Sequence, residues 1–246
     1  MADQAHHEQP HPALALPKHV QVDLTVPATP PTLEARTKHA TQALRWLGLE
    51  TITYSVPGEP DARVYEGVYR RQHGIPPHEQ NAPEHGTLDA TDILAVTKSA
   101  SRPELANQLV AVLQYRPPVN AYTLELPSGC IDRGETSPEN TAVRELKEET
   151  GFTGTNWNVD TMYAYEPSVM GACGLLVRCE VDLDAPENIH AAPQLEDDEF
   201  SLTTVLIPLD GLYRRLKEFA DQHDNVILDS RLAAFAFGLQ FAKMVQ

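Results

Sequence analysis

The segment RELKEETGF, residues 144–152, constrains the structure of this chain more tightly than any other part of the sequence. Ser137 followed by Pro138 is typical of the start of a helix, and Gly151 is typical of its end. The sequence therefore predicts one helix with clear ends, which must pack one face against the rest of the fold.

At about 100° per residue, the apolar side of this helix and its carboxylates fall in neighbouring sectors. The apolar sector contains Ala142, Val143, Leu146 and Thr150. The next sector contains three carboxylates, with Glu149 nearest the apolar edge, followed by Glu145 and Glu148. The carboxylates therefore border a core.

Carboxylates beside a core need a compensating charge. Two of them about 5 Å apart repel by roughly 3 kcal/mol at an effective dielectric constant near 20. Arg144 and Lys147 are close in sequence, but helical phase predicts that both point elsewhere. A divalent metal ion is the sharper explanation, and an ordinary solvated helix rich in Glu and Lys is the alternative.

The loop before the helix, PSGCIDRGE at 127–135, is the second part of the predicted site. Its glycines allow the backbone to approach the helix closely, which brings carbonyl oxygens and Glu135 near the carboxylates. An oxygen-rich pocket of this kind suits a hard cation such as Mg²⁺ or Mn²⁺.

Strand-like runs lie on both sides of the helix. They are TDILAVTK at 91–98, NQLVAVLQY at 107–115, YTLEL at 122–126, VDTMYAYEP at 159–167, CGLLVRCEV at 173–181 and FSLTTVLIP at 200–208. Two further helices are predicted near 209–221 and 229–244. Strands around a central helix, with helices closing the chain, favour a mixed α/β sandwich.

The N-terminal third of the sequence is predicted to be organised differently from the rest of the chain. Residues 1–31 are predicted to be a disordered tail, apart from a candidate strand at 19–26, and residues 32–47 have helical spacing. ETITYSV and ARVYEGVYR flank a Pro/Gly turn and predict a hairpin. A polar loop at 73–90 suggests a boundary, so we predict a tail (1–31), an N-terminal region (32–90) and a main domain (91–246).

Composition restricts the partners of the protein. A formal net charge of -16 disfavours a broad grip on nucleic acid, and an anionic substrate would need a local cation. Cys130, Cys173 and Cys179 have no CxxC spacing, which indicates neither a disulfide framework nor a zinc site. Without an apolar run of membrane-spanning length or a targeting signal, we expect a cytoplasmic protein with no membrane partner, and a nuclear location is also compatible.

The loop and helix together resemble the signature of the Nudix hydrolase family. The matching residues are Gly129, Glu135, Arg144, Glu145, Leu146, Glu148, Glu149, Gly151 and Phe152. Eight residues, where the family has seven, separate Glu135 from Arg144, so the extra residue lies in the loop or at the helix cap. The resemblance implies an α/β/α sandwich in which this signature forms a loop, a helix and a loop.

The resemblance extends to the ADP-ribose and ADP-sugar pyrophosphatases through QYRPP at 114–118, LELPSG at 124–129 and Pro167. It also implies that residues 32–90 form a small β-rich dimerisation domain whose aromatic side chains sandwich the adenine. Trp46 and Tyr65 stand at those places, with Tyr65 where a Trp is frequent. Packing in the core is the alternative role for both.

The resemblance also assigns roles to individual residues. Glu145 and Glu149 become ligands of Mg²⁺ or Mn²⁺, Glu148 shares a second ion, and the Ser128 carbonyl is a further ligand. Glu135 pairs with Arg144 to fix the loop, and Glu199 in EDDEF orients or deprotonates the attacking water, with its acidic neighbours 196–198 as alternatives.

Cations and one further acid complete the predicted substrate site. Arg116 and Arg70 are the predicted clamps for the diphosphate, because a guanidinium can hold phosphate oxygens in a bidentate way. Glu66 is predicted to read the adenine amino group. Surface salt bridges are the alternative for both arginines.

The predicted activity is metal-dependent hydrolysis of ADP-ribose, or of another ADP-sugar, to AMP and a sugar phosphate by a homodimeric enzyme. A nucleotide sensor that binds without turnover is one alternative, because the extra residue after Glu135 lies within the signature. Hydrolysis of another nucleoside diphosphate derivative, such as NADH or 8-oxo-dGDP, is a second.

Overall fold

The structure is a computed structural model that describes residues 20–21, 46–54, 60–61, 63–70, 88–132, 134–135 and 137–245. The strands in this part of the chain are β1 Val20–Gln21, β2 Leu47–Tyr54, β3 Arg63–Arg70, β4 Leu88–Lys98, β5 Gln108–Arg116, β6 Ala121–Glu125, β7 Ser128–Cys130, β8 Thr155–Ala164, β9 Cys173–Asp182, β10 Thr203–Pro208 and β11 Val226–Leu228. The α-helices are α1 Pro138–Thr150, α2 Pro186–Ile189, α3 Leu212–Gln222 and α4 Ser230–Met244. No helix among these residues is long and apolar enough to span a membrane.

One mixed sheet forms the centre of the fold. Its main path is β1-β10-β5-β4-β9-β8, with β4 parallel to β9 and antiparallel to β5. β4 and β5 pair only at Val96 and Leu109. Beyond that point β6 pairs with β5, and β7, which follows β6 closely in the chain, pairs with β4. The chain therefore crosses from one strand to the other just before the helix α1.

Two hydrophobic cores cover the two faces of this sheet. Ile93 and Ala95 of β4 face α1 and pack with its Leu146, whereas Leu216 and Leu232 of α3 and α4 belong to the core on the other face. The fold is therefore an α/β/α sandwich with a mixed sheet, which confirms the predicted fold class. Each predicted strand after residue 90 overlaps an observed strand.

The helix α1 has the predicted ends but not the predicted capping contact. Gly151 has φ 73°, a left-handed conformation that a residue without Cβ adopts at little cost, and its N–H donates to the Lys147 carbonyl at 2.9 Å. Ser137 is the N-cap residue of α1, but its hydroxyl makes no capping hydrogen bond. Val143 is 40% exposed, so its assignment to the apolar sector was wrong.

The N-terminal hairpin is confirmed as an antiparallel pair of β2 and β3. The predicted helix 32–47 lies outside the described residues except at its end, where Leu47 and Gly48 are in β2, so the helix does not extend to residue 47. Val20 and Gln21 pair with β10, whereas the rest of the predicted strand 19–26 lies outside the described residues. Residues 73–87 of the predicted loop 73–90 also lie outside them, and residues 88–90 begin β4, so the loop does not extend to residue 90. The hairpin contacts the main domain through Val68, whose N–H donates to the Val169 carbonyl at 2.8 Å.

Candidate active site

The helix α1 carries the predicted carboxylates at the edge of the core, as its phase indicated. Glu149 is 3% exposed and Glu145 is 9% exposed, while Glu148 is half-buried. Leu146 lies between them in sequence and is fully buried against the sheet. Packing of the apolar side of α1 therefore takes two carboxylates out of water.

The strand β7 lies directly against these carboxylates. A Cβ atom added to Gly129 would lie 1.8 Å from both Cδ and Oε1 of Glu145, so the glycine leaves the space that the carboxylate occupies. The Ser128 N–H donates to Oε2 of Glu149 at 3.1 Å. Loop and helix thus approach as closely as the sequence predicted, and the backbone of Ser128 lies at the site.

The position of Arg144 corrects one prediction. Its Nη1 donates to Oε1 of Glu145 and to Oε2 of Glu148, each at 2.8 Å, so the side chain does not point away from the carboxylates. Helical phase fixes the direction of the Cα–Cβ bond only, whereas the long arginine side chain can bend its guanidinium to a neighbouring sector.

The same guanidinium also fixes the preceding loop. Nε of Arg144 donates to Oε1 of Glu135 at 3.0 Å, and Nη2 donates to the Cys130 carbonyl at 3.0 Å. Glu135 also accepts hydrogen bonds from the Asp132 N–H and the Thr141 hydroxyl. The predicted pair between Glu135 and Arg144 is therefore present despite the extra residue between them.

The charges of the site are unevenly compensated. Hydrogen bonds from Arg144 lower the pKa of Glu135 to about 2. Burial raises the pKa of Glu145 to about 7, although Arg144 opposes the shift, and burial raises the pKa of Glu149 well above its usual value. The loop glutamate is therefore a stable anion, whereas the positive charge near the two buried helix glutamates is too small to offset the effect of burial on their pKa values.

The acidic segment before β10 is held against the end of α1. The Gln194 N–H donates to the Glu148 carbonyl at 2.7 Å, and a Cβ on Gly151 would lie 2.5 Å from the Ala192 nitrogen. Glu199 closes a 3₁₀ turn, where its carboxylate accepts the Glu196 N–H at 2.9 Å. Its negative charge contributes to the raised pKa values of Glu145 and Glu149, so this predicted base lies near both.

The carboxylates at this site have the chemistry of metal ligands, although they do not converge on one point. Within the described residues, no three carboxylate, imidazole or thiol groups converge closely enough to hold an ion as they stand. The chemistry nevertheless fits a hard divalent cation, because Glu145 and Glu149 are buried carboxylates in need of positive charge, and the missing Cβ of Gly129 leaves room for the Glu145 carboxylate. Glu145, Glu148 and Glu149 are the residues that would hold the ion, and this assignment stays a prediction.

The two arginines predicted to clamp the diphosphate approach the site from different elements. Nε and Nη2 of Arg116 donate to the two carboxylate oxygens of Glu125 at 2.7 and 2.8 Å, and the charge of Glu149 acts on the same guanidinium. Nη1 of Arg70 reaches Sγ of Cys130 at 3.6 Å. Arg70 on the hairpin therefore lies beside the signature loop, and Arg116 lies near the carboxylates.

The residues predicted to bind adenine lie on the hairpin and are separated there. Tyr65 donates its hydroxyl to the Ser168 carbonyl at 2.8 Å, Glu66 is exposed, and Trp46 lies just before β2. Because Leu47 pairs with Arg70, Trp46 and Tyr65 are about six positions apart along the ribbon, which is roughly 20 Å. One chain therefore does not bring these two aromatic rings together.

Sequence reasoning missed Glu125, the carboxylate that holds Arg116. This residue is 4% exposed, and it also accepts the hydroxyl of Thr123. The available signal was a glutamate alternating with leucines in the strand-like run YTLEL, since a charge on the buried face of a strand needs a partner.

Comparison with known proteins agrees with this geometry. The family model of the NUDIX domain matches residues 90–228. ADP-ribose pyrophosphatase of Saccharomyces cerevisiae is 30% identical over 217 residues, which cover 86% of this chain and 84% of that protein. ADP-sugar pyrophosphatase of Mus musculus is 29% identical over 199 residues, which cover 80% and 83%.

A solved structure described as an ADP compounds hydrolase has the same fold, with a TM-score of 0.51 and 18% identity, covering 89% of this chain and 98% of that one. The fold and site define an α/β/α sandwich with an acidic site where a glycine loop meets the central helix. The chain belongs to the Nudix family, and it is a Nudix hydrolase.

Proposed function

We propose that this Nudix hydrolase cleaves the diphosphate bond of ADP-ribose, and of related ADP-sugars, to AMP and a sugar phosphate. The observation that carries the proposal is the buried pair Glu145 and Glu149, with the Glu145 carboxylate lying against Gly129 in the space that a Cβ atom would fill. The names of the yeast and mouse relatives support the choice of substrate class.

We propose Mg²⁺ as the resident cation, with Mn²⁺ as a substitute, held by the three glutamates of α1. When bound, the ion lowers the pKa of a water molecule and neutralises charge on the diphosphate. Burial of Glu145 and Glu149 strengthens their attraction for a divalent ion, because less water competes for the carboxylates. The Ser128 N–H orients Glu149 through its 3.1 Å hydrogen bond.

The other residues of the site bind and orient the reactants. Glu199 would accept a proton from the attacking water, because it is a carboxylate on a loop held against the end of α1. Arg116 would bind the diphosphate, with its guanidinium plane fixed by the bidentate contact to Glu125. Arg144 holds Glu135 and the Cys130 carbonyl, and so fixes the loop that faces the helix.

We also propose that the protein is a homodimer in which each adenine stacks between Trp46 of one chain and Tyr65 of the other. Trp46 and Tyr65 are each 46% exposed, and Leu49 and Val64 on the same hairpin are each 63% exposed. The separation of roughly 20 Å between the rings within one ribbon favours a site shared by two chains. Light scattering should give about twice the chain mass, and a fully active monomer would contradict the shared site.

The test of the activity is a hydrolysis panel with product identification. The substrates are ADP-ribose, ADP-glucose, NADH and 8-oxo-dGDP, each assayed with Mg²⁺ and with EDTA. Glu149→Gln is expected to lower turnover at least about 100-fold, because a neutral amide binds a hard cation poorly while filling the same volume. Glu139→Gln, on the exposed first turn of α1, is the matched control and should retain full activity.

Two results would refute the proposal. Hydrolysis that continues unchanged in EDTA would remove the cation from the reaction. Tight binding of ADP-ribose without release of AMP would favour the nucleotide sensor.

A further inference from the structure

Thr91 of β4 is a buried residue, and packing alone does not explain why it has a hydroxyl group. The residue is fully buried, and its Oγ1 has no hydrogen-bond partner among the residues that the structure describes. A valine has nearly the same shape and would avoid the loss of hydrogen bonds to water. A hydroxyl at this position therefore calls for a function that a methyl group cannot perform.

The pairing of β4 with β7 places this hydroxyl beside the acidic site. Thr91 is the register partner of Gly129, and such partners project from the same face with Cβ positions about 5 Å apart. The space at the missing Cβ of Gly129 is filled by the Glu145 carboxylate. The Thr91 side chain therefore lies on the same face as this carboxylate and next to it.

The neighbours of Thr91 along β4 independently indicate which way its side chain points. Ile93 and Ala95 follow at alternate positions, and both belong to the core that contains Leu146 of α1. Thr91 is two residues before Ile93 on the same strand, so its side chain projects from the same face, towards α1. The hydroxyl thus lies between the sheet and the helix face that carries Glu145.

We propose that Thr91 is a positioning residue whose hydroxyl donates to the Glu145 carboxylate, directly or through one water, in the cation-bound protein. This inference rests on the proposed function. Hydrogen bonds from outer groups commonly orient carboxylates that bind metal ions. Arg144 now donates to Oε1 of Glu145 at 2.8 Å and cancels part of its charge, whereas a neutral hydroxyl orients the carboxylate and leaves its charge for the cation.

The experiment compares Thr91→Val, which removes the hydroxyl, with Thr91→Ser, which keeps it and removes the methyl group. Mn²⁺ is titrated into the metal-free full-length variants and followed by electron paramagnetic resonance, and Tm is measured in EDTA. Thr91→Val should bind Mn²⁺ about 10-fold to 100-fold more weakly than wild type, and Thr91→Ser should stay within about threefold.

The stability of the two variants should follow the opposite order. Thr91→Val should have a Tm in EDTA at least as high as wild type, because it buries no unpaired hydroxyl. Thr91→Ser should have a lower Tm, because the lost methyl group leaves a void. A residue that acts only in packing would instead change affinity and stability together.

Thr97→Val is the matched control on the same strand and face. The Thr97 hydroxyl accepts the Gln108 N–H at 3.0 Å and donates to the Leu105 carbonyl, remote from the acidic site. This variant should lower Tm and leave the Mn²⁺ affinity unchanged.

Two outcomes would overturn the inference in distinguishable ways. Wild-type affinity in Thr91→Val, with Mn²⁺ bound normally by wild type, would refute the role of Thr91 alone. Wild-type protein that does not bind Mn²⁺ would remove the proposed cation site, and this inference with it.

Discussion

Replacement of Gly129 by alanine should separate the function of the acidic site from the stability of the fold. The new Cβ would lie 1.8 Å from Cδ and Oε1 of Glu145, whereas non-bonded carbon atoms need about 3.5 Å or more. Gly129 is not among the glycines with positive φ, so its backbone accepts alanine without strain. The carboxylate must therefore move by about 1.7 Å or more, because it is the end of a flexible side chain and the backbone is not.

The expected changes in stability and activity differ greatly in size. With the pKa of Glu145 raised from 4.5 to about 7, the ionised group makes the folded protein about 3 kcal/mol less stable relative to the unfolded chain at pH 8. Moving the carboxylate outwards relieves part of this cost and loses the contact with Arg144, so the free energy of unfolding should change by less than about 1.5 kcal/mol. Turnover of ADP-ribose should fall at least about 100-fold, since a predicted cation ligand is displaced.

The assay is ADP-ribose hydrolysis with saturating Mg²⁺, together with urea unfolding in EDTA. Gly238→Ala in α4 is the matched control, because nothing lies within 4 Å of its Cβ position. It should keep full activity and gain about 0.5–1 kcal/mol from helix propensity. Gly129→Ala with activity within about threefold of wild type would show that the Glu145 carboxylate is not needed where the structure places it.

Three further predictions concern protonation, a buried ion pair and substrate stacking. In EDTA, wild type should lose about 3 kcal/mol of unfolding free energy relative to Glu145→Gln as the pH rises from about 4.5 to about 7, because only the unfolded state ionises this group in that window. Urea unfolding at pH 4.5 and pH 8 measures this difference, and parallel stabilities would contradict it. Arg231→Met should lower the unfolding free energy by about 3–5 kcal/mol, because it leaves the fully buried Asp92 carboxylate without the guanidinium that pairs with it. A decrease below about 1 kcal/mol would show that this ion pair does not stabilise the fold. Tyr65→Ala should raise KM for ADP-ribose by an amount worth about 1–3 kcal/mol with little change in kcat, and an unchanged KM would remove Tyr65 from the adenine site.

The sequence was most informative where local chemistry decides structure. The ends of α1 follow from Pro138 and Gly151, and the burial of Glu149 follows from helical phase. The hairpin follows from two strand-like runs around a Pro/Gly turn. In each case, neighbours in the sequence are also neighbours in space, so a pattern of a few residues carries enough information.

Non-local pairing was not predictable in the same way. The separation of β4 from β5 after Val96 and Leu109, and the pairing of β7 with β4, depend on contacts between distant segments. No single-sequence pattern indicates that Thr91 and Gly129 become register partners. The importance of Thr91 therefore emerges only when the sheet is known.

The position of Arg144 shows how a local prediction can fail inside a correctly predicted helix. Its guanidinium reaches Glu135, Glu145 and Glu148, and so links the loop to the helix through one cation. Three carboxylates against one guanidinium leave a net negative site, and the fully buried side of that site also contains Glu149. The single positive charge of Arg144 therefore fixes the geometry of the acidic site without neutralising it. The remaining negative charge favours binding of a divalent ion there.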